Sequence, residues 1–312
     1  MSRKLRVLFM GSPDFAVPSL RALASRHEVV AVVTQPDRPQ GRGRKLAPPA
    51  VKVAAQALGL PVLQPEKLRR RSAREELEAF GAQMFVVAAY GKILSGKMLA
   101  VPPMGCVNVH ASLLPRLRGA APIHWAVIRG EAESGITIMQ MDEGMDTGPM
   151  LLQRSVSLAP DETAGSLHDR LAPLGAELLL EALDGLVAGA VGPRPQPAEG
   201  TLAPMLTKED GLVDFGRGAR AVGCQIRGMD PWPGAFSSAL GERLKLFGAS
   251  EEPGSGGRPG EVLGADVRGL LVACGEGSVR IRELQLPGRK RLPAPALLAG
   301  RPIPSGTVLG AG

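Results

Sequence analysis

Two polar residues stand near the end of the apolar stretch in VNVHASLLPRLRGAAPI at 107–123, and they are the clearest candidates for chemistry. In an extended strand Asn108 and His110 are two residues apart, so their side chains share one face. An asparagine amide donates hydrogen bonds without charge, and a histidine takes up or releases a proton near neutral pH. The pair could stabilise a developing oxyanion and move a proton, or it could instead satisfy backbone groups of the following loop.

A second candidate is the acidic, glycine-containing segment MQMDEGMDTGP at 139–149, which supplies the carboxylates of Asp142 and Asp146. Its glycines allow an irregular loop. A carboxylate close to His110 would hold one tautomer of the ring and support its positive form. Acidic, glycine-rich segments more often form turns, so the pattern alone leaves both roles open.

The segment TQPDRPQGRGRKLAPP at 34–49 follows the apolar run EVVAVV and sets several Arg and Lys residues against one acid, Asp37. A connection between a strand and a helix usually needs only ~2–6 residues, so this one is unusually long. Its prolines and glycines predict a mobile surface loop with stiff segments. Its charge favours either a phosphate-binding loop or a solvated surface loop.

Several other chemistries lack their usual patterns. The chain contains no G-x-x-x-x-G-K-[ST] and no H-E-x-x-H, and its first strand–helix turn, GSPDF, lacks G-x-G-x-x-G. The three cysteines, Cys106, Cys224 and Cys274, are far apart, which argues against a zinc site or a disulfide framework. We therefore expect no metal, and we interpret Cys106 as a buried apolar residue rather than a nucleophile.

Strand and helix patterns alternate over the first half of the chain. Continuous apolar runs predict buried strands at 5–11, 28–34, 61–65, 84–91 and 106–112. Apolar residues at helical spacing predict helices at 13–25, 49–59 and 72–80. This alternation predicts an α/β fold, with a doubly wound, mostly parallel, Rossmann-like sheet that is covered by helices on both faces.

Two further elements complete the predicted N-terminal domain. The runs at 134–142 and 150–158 alternate more strongly and predict a hairpin-like extension of the sheet. Residues 163–189 predict a long helix with a kink or break at Pro173.

The composition changes at 190–206, AVGPRPQPAEGTLAPML, where prolines and glycines without periodicity predict an extended linker. Beyond it, short strand patterns separated by turns predict a small β-barrel, at 243–249, 260–265, 269–275 and 278–286. The predicted organisation is a catalytic domain at 1–189, a linker at 190–206 and a C-terminal domain at 207–312.

The net charge of +7 and the isoelectric point of about 9.7 favour a polyanionic partner, with general solubility as the alternative. Aromatic residues make up 3% of the chain, so we do not expect aromatic stacking on exposed bases to be the main binding mode. The N-terminal run LRVLFM is too short for a signal peptide, and no apolar run approaches the ~20 residues of a membrane helix. We therefore expect a soluble, cytoplasmic protein that is not associated with a membrane.

The two central motifs, VNVHASLLPRLRGAAPI and ITIMQMDEGMDTGPML, resemble those of the folate-dependent formyltransferases that act on methionyl-tRNA. The resemblance extends in order over nearly the whole chain, through GSPDFAVPSL, TQPDRPQGRGRKLAPPAVK, LTKEDGLVDF, IRGMDPWPGAF and LQLPGRK. It implies that the C-terminal domain at 207–312 is similar to an OB-fold and binds tRNA. The resemblance also implies transfer of a formyl group from 10-formyltetrahydrofolate to the free α-amine of methionyl initiator tRNA, without a metal. Separately, we expect a monomeric protein.

The resemblance carries over residue by residue onto three sets of positions. The catalytic positions of the family fall on Asn108, His110 and Asp146. Its folate-associated loop falls on Ser112, Leu113, Leu114 and Pro115. Its tRNA-facing insertion falls on Arg38, Arg42, Arg44 and Lys45, and a lysine near the bound tRNA end falls on Lys208.

Three other functions remain open at this point. A formyltransferase for a small amine, such as glycinamide ribonucleotide or an amino sugar nucleotide, would share the central motifs without needing the basic segment. The purine-pathway type should also lack a C-terminal module of ~100 residues, the size of a separate domain. The remaining two are a hydrolase that releases formate from the folate and a non-catalytic tRNA-binding protein on the same scaffold.

Overall fold

The computed structural model of the chain describes residues 4–40, 45–254 and 256–310. The chain forms two compact units. The first consists of Met1–Ala120, Ser134–Val156 and His168–Ala203, and the second of Ala121–Glu133, Ser157–Leu167 and Pro204–Gly312.

A sheet of alternating strands and helices organises the first unit. The strands up to residue 157 are β1 (Arg6–Gly11), β2 (Glu28–Val33), β3 (Arg38–Gln40), β4 (Lys45–Ala47), β5 (Val62–Leu63), β6 (Met84–Ala88), β7 (Cys106–His110), β8 (Glu133–Gln140) and β9 (Met150–Ser157). The helices up to residue 187 are α1 (Val17–Arg26), α2 (Ala50–Ala57), α3 (Arg71–Glu78), α4 (Gly96–Leu99), α5 (Pro122–Ile128) and α6 (Ala164–Val187). Of these, α5 belongs to the second unit.

The main sheet runs in the order β5–β2–β1–β6–β7–β8–β9. Neighbours from β5 to β7 pair in parallel, whereas β7 and β8 pair antiparallel. In that antiparallel ladder Asn108 lies opposite Met139, and His110 lies opposite Thr137. The predicted mostly parallel α/β sheet is therefore confirmed, with β8 as the strand that reverses direction.

The core of this unit follows from the apolar strands. Every residue of β6 is buried, and Leu8, Met10, Val33 and Phe85 belong to one buried cluster. Full burial of a large aliphatic or aromatic side chain contributes about 1.5–3 kcal/mol, so such a cluster fixes the relative positions of the central strands. Strands that are buried on both faces have continuous apolar sequences, and this pattern allowed them to be predicted.

Two local predictions differ from the structure. The basic segment is not wholly irregular, because β3 and β4 form an antiparallel ladder that pairs Arg38 with Ala47 and Gln40 with Lys45. Of the predicted kink or break at Pro173, the break is wrong, since α6 continues through this residue, and the kink stays a prediction. Pro173 faces solvent, whereas its neighbours Leu171 and Ala172 are buried, so packing of the buried face offsets the lost backbone hydrogen bond.

The second unit contains a mainly antiparallel sheet. Its elements beyond residue 204 are α7 (Ala219–Gly228), β10 (Phe236–Ala239), β11 (Glu242–Glu252), β12 (Val262–Asp266), β13 (Gly269–Ala273), β14 (Ser278–Gln285), β15 (Leu292–Pro293) and α8 (Ala294–Gly300). The strands run in the order β10–β11–β14–β13–β12, and β15 pairs with β14. The prediction of a small β-rich domain is confirmed, and its OB-like character stays a prediction.

The segment 190–206, which the structure describes completely, has neither a helix nor a regular strand. Isolated bridges join Arg194 to Met150 and Leu202 to Arg118. The predicted boundaries at 189, 206 and 207 remain predictions. None of the described helices combines the length and the apolar character required to cross a membrane.

Candidate active site

Strand β7 places the two polar candidates on one face, as their spacing predicted. Asn108 is partly buried, and the side chain of His110 is only 5% exposed. His110 ends the strand, next to the turn that leads away from the sheet. Because β7 pairs with β6 on one side and with β8 on the other, the backbone that carries this polar pair is fixed within the sheet.

Asp146 reaches this face from the loop that connects β8 to β9. Its Oδ1 lies 3.4 Å from Nδ2 of Asn108, and its Oδ2 lies 3.7 Å from Nδ1 of His110. The amide of Gly119 donates to the same Oδ2 at 2.8 Å. Asp146 has a φ of 54°, in the left-handed region that few non-glycine residues occupy. Such a conformation requires surrounding contacts to hold it, and these contacts aim the carboxylate at the β7 pair.

A backbone carbonyl determines the hydrogen on the His110 ring. The Nε2 atom lies 3.0 Å from the carbonyl oxygen of Leu117, which can only accept, so Nε2 carries the hydrogen. Leu117 also has a left-handed φ, of 60°, and its amide donates to Oγ1 of Thr201 at 2.9 Å. Nδ1 is therefore the ring nitrogen that remains for chemistry, and it faces Asp146.

The two carboxylates of the acidic segment have different roles. Asp142 accepts hydrogen bonds from the hydroxyl of Thr147 at 2.9 Å and from the amide of Gly144 at 3.1 Å, so it closes a turn. Asp146 is the one that contacts the β7 pair. At Gly148 a Cβ atom would collide with the carbonyl oxygen of Gln140, so this position requires glycine for the loop to close.

Gln196 stabilises the same loop and was not predicted. Its side-chain amide donates to the carbonyl oxygens of Asp146 at 2.9 Å and Gly148 at 2.7 Å. Its own oxygen accepts from the guanidinium of Arg118, at 2.8 and 3.1 Å. Arg118 is thus engaged within the unit. Gln196 lies in the segment that the sequence describes only as a linker, so no local signal pointed to it.

The turn at 112–115, predicted to contact folate, is fixed by two residues of the neighbouring strands. Thr137 accepts a hydrogen bond from the amide of Leu114 at 3.1 Å and donates to the carbonyl oxygen of Ser112 at 2.6 Å. Gln153 donates to the carbonyl oxygen of Leu114 at 2.8 Å. The Ser112 hydroxyl donates to the carbonyl oxygen of Arg116, so it is committed to the turn itself. The predicted folate contacts of Ser112, Leu113, Leu114 and Pro115 stay predictions.

Exposed apolar side chains occur on two segments around these residues. Met145 is 61% exposed, and its sulfur lies near Gly119. Ile93 is 68% exposed and belongs to the segment between β6 and α4. The side chain of Glu143 lies against Gly96 at the end of that segment. Apolar surface beside a polar pair is typical of a small-molecule site.

Cys106, at the start of β7, is buried, and burial raises the pKa of its thiol to about 12. Its Sγ lies 3.7 Å from the carbonyl oxygen of Leu99. A thiol with such a high pKa forms almost no thiolate at neutral pH. This agrees with its interpretation as a buried apolar residue.

The predicted tRNA-binding residues are only partly described. Arg38 is exposed on β3, and Lys45 lies in β4. Arg42 and Arg44 lie outside the described residues. Lys208 is exposed in the second unit, directly before the short 3-10 helix Glu209–Gly211.

A polar network holds the base of the β3–β4 hairpin. The ammonium of Lys52 lies 2.8 Å from both carboxylate oxygens of Asp37, and it donates to Gln64 at the same distance. Gln64 donates in turn to Asp37 at 2.7 Å and to the carbonyl oxygen of Gln35 at 2.8 Å. The hydrogen bonds from Gln64 and from Lys52 lower the pKa of Asp37. The hairpin is therefore anchored next to the sheet by a carboxylate that stays ionised at neutral pH.

Comparisons with known proteins cover both halves of the chain. Residues 3–183 match the family model for formyl transferase, and residues 205–302 match the model for the formyl transferase C-terminal domain. The chain is 53% identical over 308 residues to the methionyl-tRNA formyltransferase of Citrifermentans bemidjiense, covering 98% of this chain and 96% of that one. It is 52% identical over 310 residues to the methionyl-tRNA formyltransferase of Pelotomaculum thermopropionicum, covering 98% and 99%.

Solved structures share the fold at low sequence identity. HypX from Aquifex aeolicus, in complex with tetrahydrofolic acid, matches with a TM-score of 0.64 and 21% identity, over 95% of this chain and 47% of that one. An N-formyltransferase from Helicobacter canadensis, in complex with folinic acid and dTDP-3-aminofucose, matches with a TM-score of 0.66 and 16% identity, over 89% and 98%.

Proposed function

This chain belongs to the formyl transferase family, and on that premise we propose that it transfers a formyl group from 10-formyltetrahydrofolate to the α-amine of methionyl initiator tRNA. The proposal rests on the convergence of Asn108, His110 and Asp146 in a chain that is 53% identical over 98% of its length to a methionyl-tRNA formyltransferase. The product would serve the initiation of translation in the cytoplasm, and we expect the protein to act as a monomer.

The reaction sets two requirements on the site. A bound folate would supply a formyl group on a nitrogen that can leave once that nitrogen is protonated. Attack by the uncharged amine puts negative charge on the formyl oxygen, and the amine must then lose a proton. The protein has to stabilise that charge and to move that proton.

Asn108 is suited to the first requirement. One N–H of its amide points at Asp146 over a long 3.4 Å. No partner for the other N–H is recorded among the described residues. A neutral donor held on a strand can stabilise an oxyanion without the cost of reorganising when the charge appears.

His110 and Asp146 are suited to the second requirement. Because Leu117 holds the hydrogen on Nε2, a proton can be taken up only at Nδ1. A proton there would face the Asp146 carboxylate, 3.7 Å away, so the charged ring would gain an attractive partner. His110 would then hold the proton at Nδ1 and support the charge on the formyl oxygen, with the ring or a bound water carrying the proton to the folate nitrogen.

The residues around this triad fit a folate. The turn at 112–115 is fixed by Thr137 and Gln153, so its shape is set before any ligand binds. Its hydroxyl is already used, which leaves backbone groups and the partly exposed Leu113 and Pro115 for contacts. The exposed side chain of Met145 adds apolar surface for a flat ring.

The tRNA would be bound by positive charge outside the catalytic face. Arg38, Arg42, Arg44 and Lys45 belong to the β3–β4 segment, which is anchored through Asp37. Lys208 would contact the tRNA near its aminoacylated end. Guanidinium and ammonium groups neutralise phosphates and release counterions, so we expect the affinity for tRNA to fall with rising salt.

The decisive experiment offers the purified protein 10-formyltetrahydrofolate and three acceptors: initiator methionyl-tRNA, elongator methionyl-tRNA and glycinamide ribonucleotide. We expect rapid formylation of the initiator and little transfer to the others. Preferential formylation of the small amine would overturn the tRNA assignment. Release of formate without any acceptor would indicate a hydrolase, and tRNA binding without transfer would indicate a binding protein.

A further inference from the structure

The irregular segment 194–203 runs along the loops of the candidate active site and belongs to the same compact unit as they do. Every residue from 194 to 202 is exposed or half-buried, and only the last residue of the segment, Ala203, is fully buried. The segment therefore contributes little to the apolar core. Its contacts are mainly hydrogen bonds, and these lead to two loops that hold catalytic candidates in place.

The first of these loops is 115–119, which follows the turn predicted to contact folate. The amide of Thr201 donates to the carbonyl oxygen of Pro115 at 3.2 Å, and its carbonyl oxygen accepts from the amide of Arg118 at 2.8 Å. The amide of Ala203 donates to the carbonyl oxygen of Arg118 at 2.7 Å. Three backbone hydrogen bonds thus fix the loop along one side.

Two glycines allow the segment and the loop to approach this closely. A Cβ atom at Gly200 would lie 2.5 Å from the carbonyl oxygen of Pro115. Gly119 has a φ of 117°, and a Cβ atom there would lie 2.8 Å from the carbonyl oxygen of Ala203. A side chain at either position would force the two backbones apart.

The hydroxyl of Thr201 reaches the residue that contacts the catalytic ring. Its Oγ1 accepts a hydrogen bond from the amide of Leu117 at 2.9 Å. The carbonyl oxygen of Leu117 in turn lies 3.0 Å from Nε2 of His110. Leu117 has a φ of 60°, a conformation that surrounding contacts must hold. Thr201 therefore helps to keep this carbonyl group directed at Nε2, and so keeps the ring hydrogen on that atom.

Gln196 contacts the second loop, which carries Asp146. Its side-chain amide donates to the carbonyl oxygens of Asp146 at 2.9 Å and Gly148 at 2.7 Å. Its side-chain oxygen accepts from the guanidinium of Arg118, in the first loop. Asp146 itself has a left-handed φ, so its backbone also depends on such contacts. One side chain thus connects the loop behind the His110 ring to the loop that supplies the carboxylate.

We propose that segment 194–203 positions the catalytic groups, with Thr201 maintaining the tautomer of His110 and Gln196 maintaining the orientation of the Asp146 carboxylate. The catalytic part of this inference rests on the proposed function. Both are positioning residues, because each acts through the backbone of a loop. The alternative is a connection that only crosses the surface, in which case substitutions would change the stability or nothing at all.

The first experiment records ¹⁵N NMR spectra of protein labelled at its four histidines, because the shifts of the ring nitrogens report which one carries the hydrogen. His110→Ala identifies the signals of that ring. At about pH 8.5, where histidine rings are generally neutral, wild type should carry the hydrogen on Nε2. In Thr201→Val we expect signal from the form with hydrogen on Nδ1. Thr201→Ser retains a hydroxyl and should restore the wild-type shifts.

The second experiment measures single-turnover formyl transfer and the KM values for Thr201→Val and Gln196→Met. We expect each variant to lose roughly tenfold in rate, because a small displacement of a catalytic group is costly. The KM for the folate, the KM for tRNA and the melting temperature should stay near wild type. Gln196→Met should also keep the wild-type tautomer of His110, since it acts on the carboxylate. The matched control is Gln285→Met, which removes an amide that donates to the carbonyl oxygen of Arg289 in the second unit.

Unchanged ring shifts in Thr201→Val would overturn the role of Thr201, and so would a changed tautomer with a wild-type transfer rate. A wild-type rate in Gln196→Met would overturn the role of Gln196. A rate loss that the Gln285→Met control shares, or that accompanies a lower melting temperature, would establish a structural role and overturn the inference.

These outcomes can be separated from those of the proposed function. The NMR experiment needs neither folate nor tRNA, so it decides the role of Thr201 even if wild type transfers no formyl group. Conversely, if wild type formylates initiator methionyl-tRNA and the variants at Thr201 and Gln196 behave like it, the proposed function stands and the positioning role is removed.

Discussion

The Nε2 atom of His110 lies 3.0 Å from the carbonyl oxygen of Leu117, so the backbone fixes which ring nitrogen carries the hydrogen. The other nitrogen faces Asp146. The catalytic hypothesis is therefore a statement about a single atom, Nδ1 of His110. Replacing the ring removes both the donor to Leu117 and the proton acceptor. Replacing Asp146 removes the charge that faces the ring and also affects the oxygens that accept from Asn108 and Gly119.

We expect His110→Ala and Asp146→Asn each to lower the rate of formyl transfer strongly. A positioned acid–base group contributes ~10²–10⁴-fold, so single-turnover rates should fall by that order for His110→Ala. Asp146→Asn keeps the size of the side chain and removes its charge, and a loss of roughly 10²-fold is expected. Folate affinity, measured by fluorescence titration, should change little. Near wild-type turnover by either variant would remove that residue from the catalytic role.

The turn at 112–115 depends on a residue two strands away. In Gln153→Met the carbonyl oxygen of Leu114 loses its donor, while the volume of the side chain is roughly kept. We expect the KM for the folate to rise several-fold, since one buried hydrogen bond is worth about 1 kcal/mol. Binding of tRNA should be unchanged. If the KM for tRNA rises instead, the turn does not serve the folate.

The basic hairpin should be positioned by the network at its base. Asp37→Ala removes the carboxylate that binds Lys52 and Gln64. We expect a higher KM for tRNA and an unchanged KM for the folate, because the first strand of the hairpin begins at the next residue. Glu28→Ala is the matched control, since it breaks an exposed ion pair with Arg6 in the same unit. An effect of equal size in both variants would contradict a specific role for Asp37.

His27 should make the first unit less stable in mild acid. Its side chain is buried, its Nδ1 accepts the amide of Leu5 at 3.4 Å, and burial lowers its pKa. The unfolded chain, with a pKa of about 6.5 for this group, then binds a proton more readily than the folded chain. Stability is therefore complete above that pH and falls as the pH drops through it towards the lower folded pKa.

Melting temperatures of wild type and His27→Gln at pH 7.5 and 5.5 test this. The drop between the two values should be smaller in the variant, which lacks the titrating group. Equal drops in both proteins would show that His27 does not contribute to the pH dependence.

Arg280 should be the most costly charge to remove from the second unit. It is 4% exposed within β14, binds both carboxylate oxygens of Glu252 at 2.9 Å, and lies 3.1 Å from Asp266. The carboxylates that remain are 22% and 44% exposed, so the cost is that of the lost hydrogen bonds between charged groups, about 1.5–3 kcal/mol. We expect Arg280→Ala to lower the free energy of unfolding by that amount in urea titrations. Arg258→Ala, which breaks the exposed pair with Glu261, should cost at most about 1 kcal/mol.

Strong periodicity carried most of the fold prediction. Strands such as β6 are apolar at every position, and the i, i+2 spacing of Asn108 and His110 was enough to place both on one face. The predicted fold class and the family resemblance are both confirmed, and the catalytic roles stay predictions. Short helices were missed: α7 contains glycines that lower its helical propensity, and its formation depends on packing against α5.

The supporting residues could not be found from sequence for a different reason. Gln196, Thr137 and Gln153 all bind backbone carbonyls that are distant in the chain, and a carbonyl leaves no signature in the sequence. Which of the two carboxylates, Asp142 or Asp146, reaches the β7 pair depends on the conformation of the loop, and the sequence does not predict that conformation.

The distance between Asp146 and the β7 pair, Asn108 and His110, depends on the register between β7 and β8. Because β8 runs antiparallel to β7, the loop that carries Asp146 leaves the sheet beside Cys106 and folds back along the β7 face. Each residue of a strand advances ~3.3 Å, so a slip of two residues between these strands would carry the carboxylate ~7 Å from the His110 ring. The pairing of Asn108 with Met139 therefore sets this distance. We expect an insertion in β8 to abolish formyl transfer although Asn108, His110 and Asp146 are all retained.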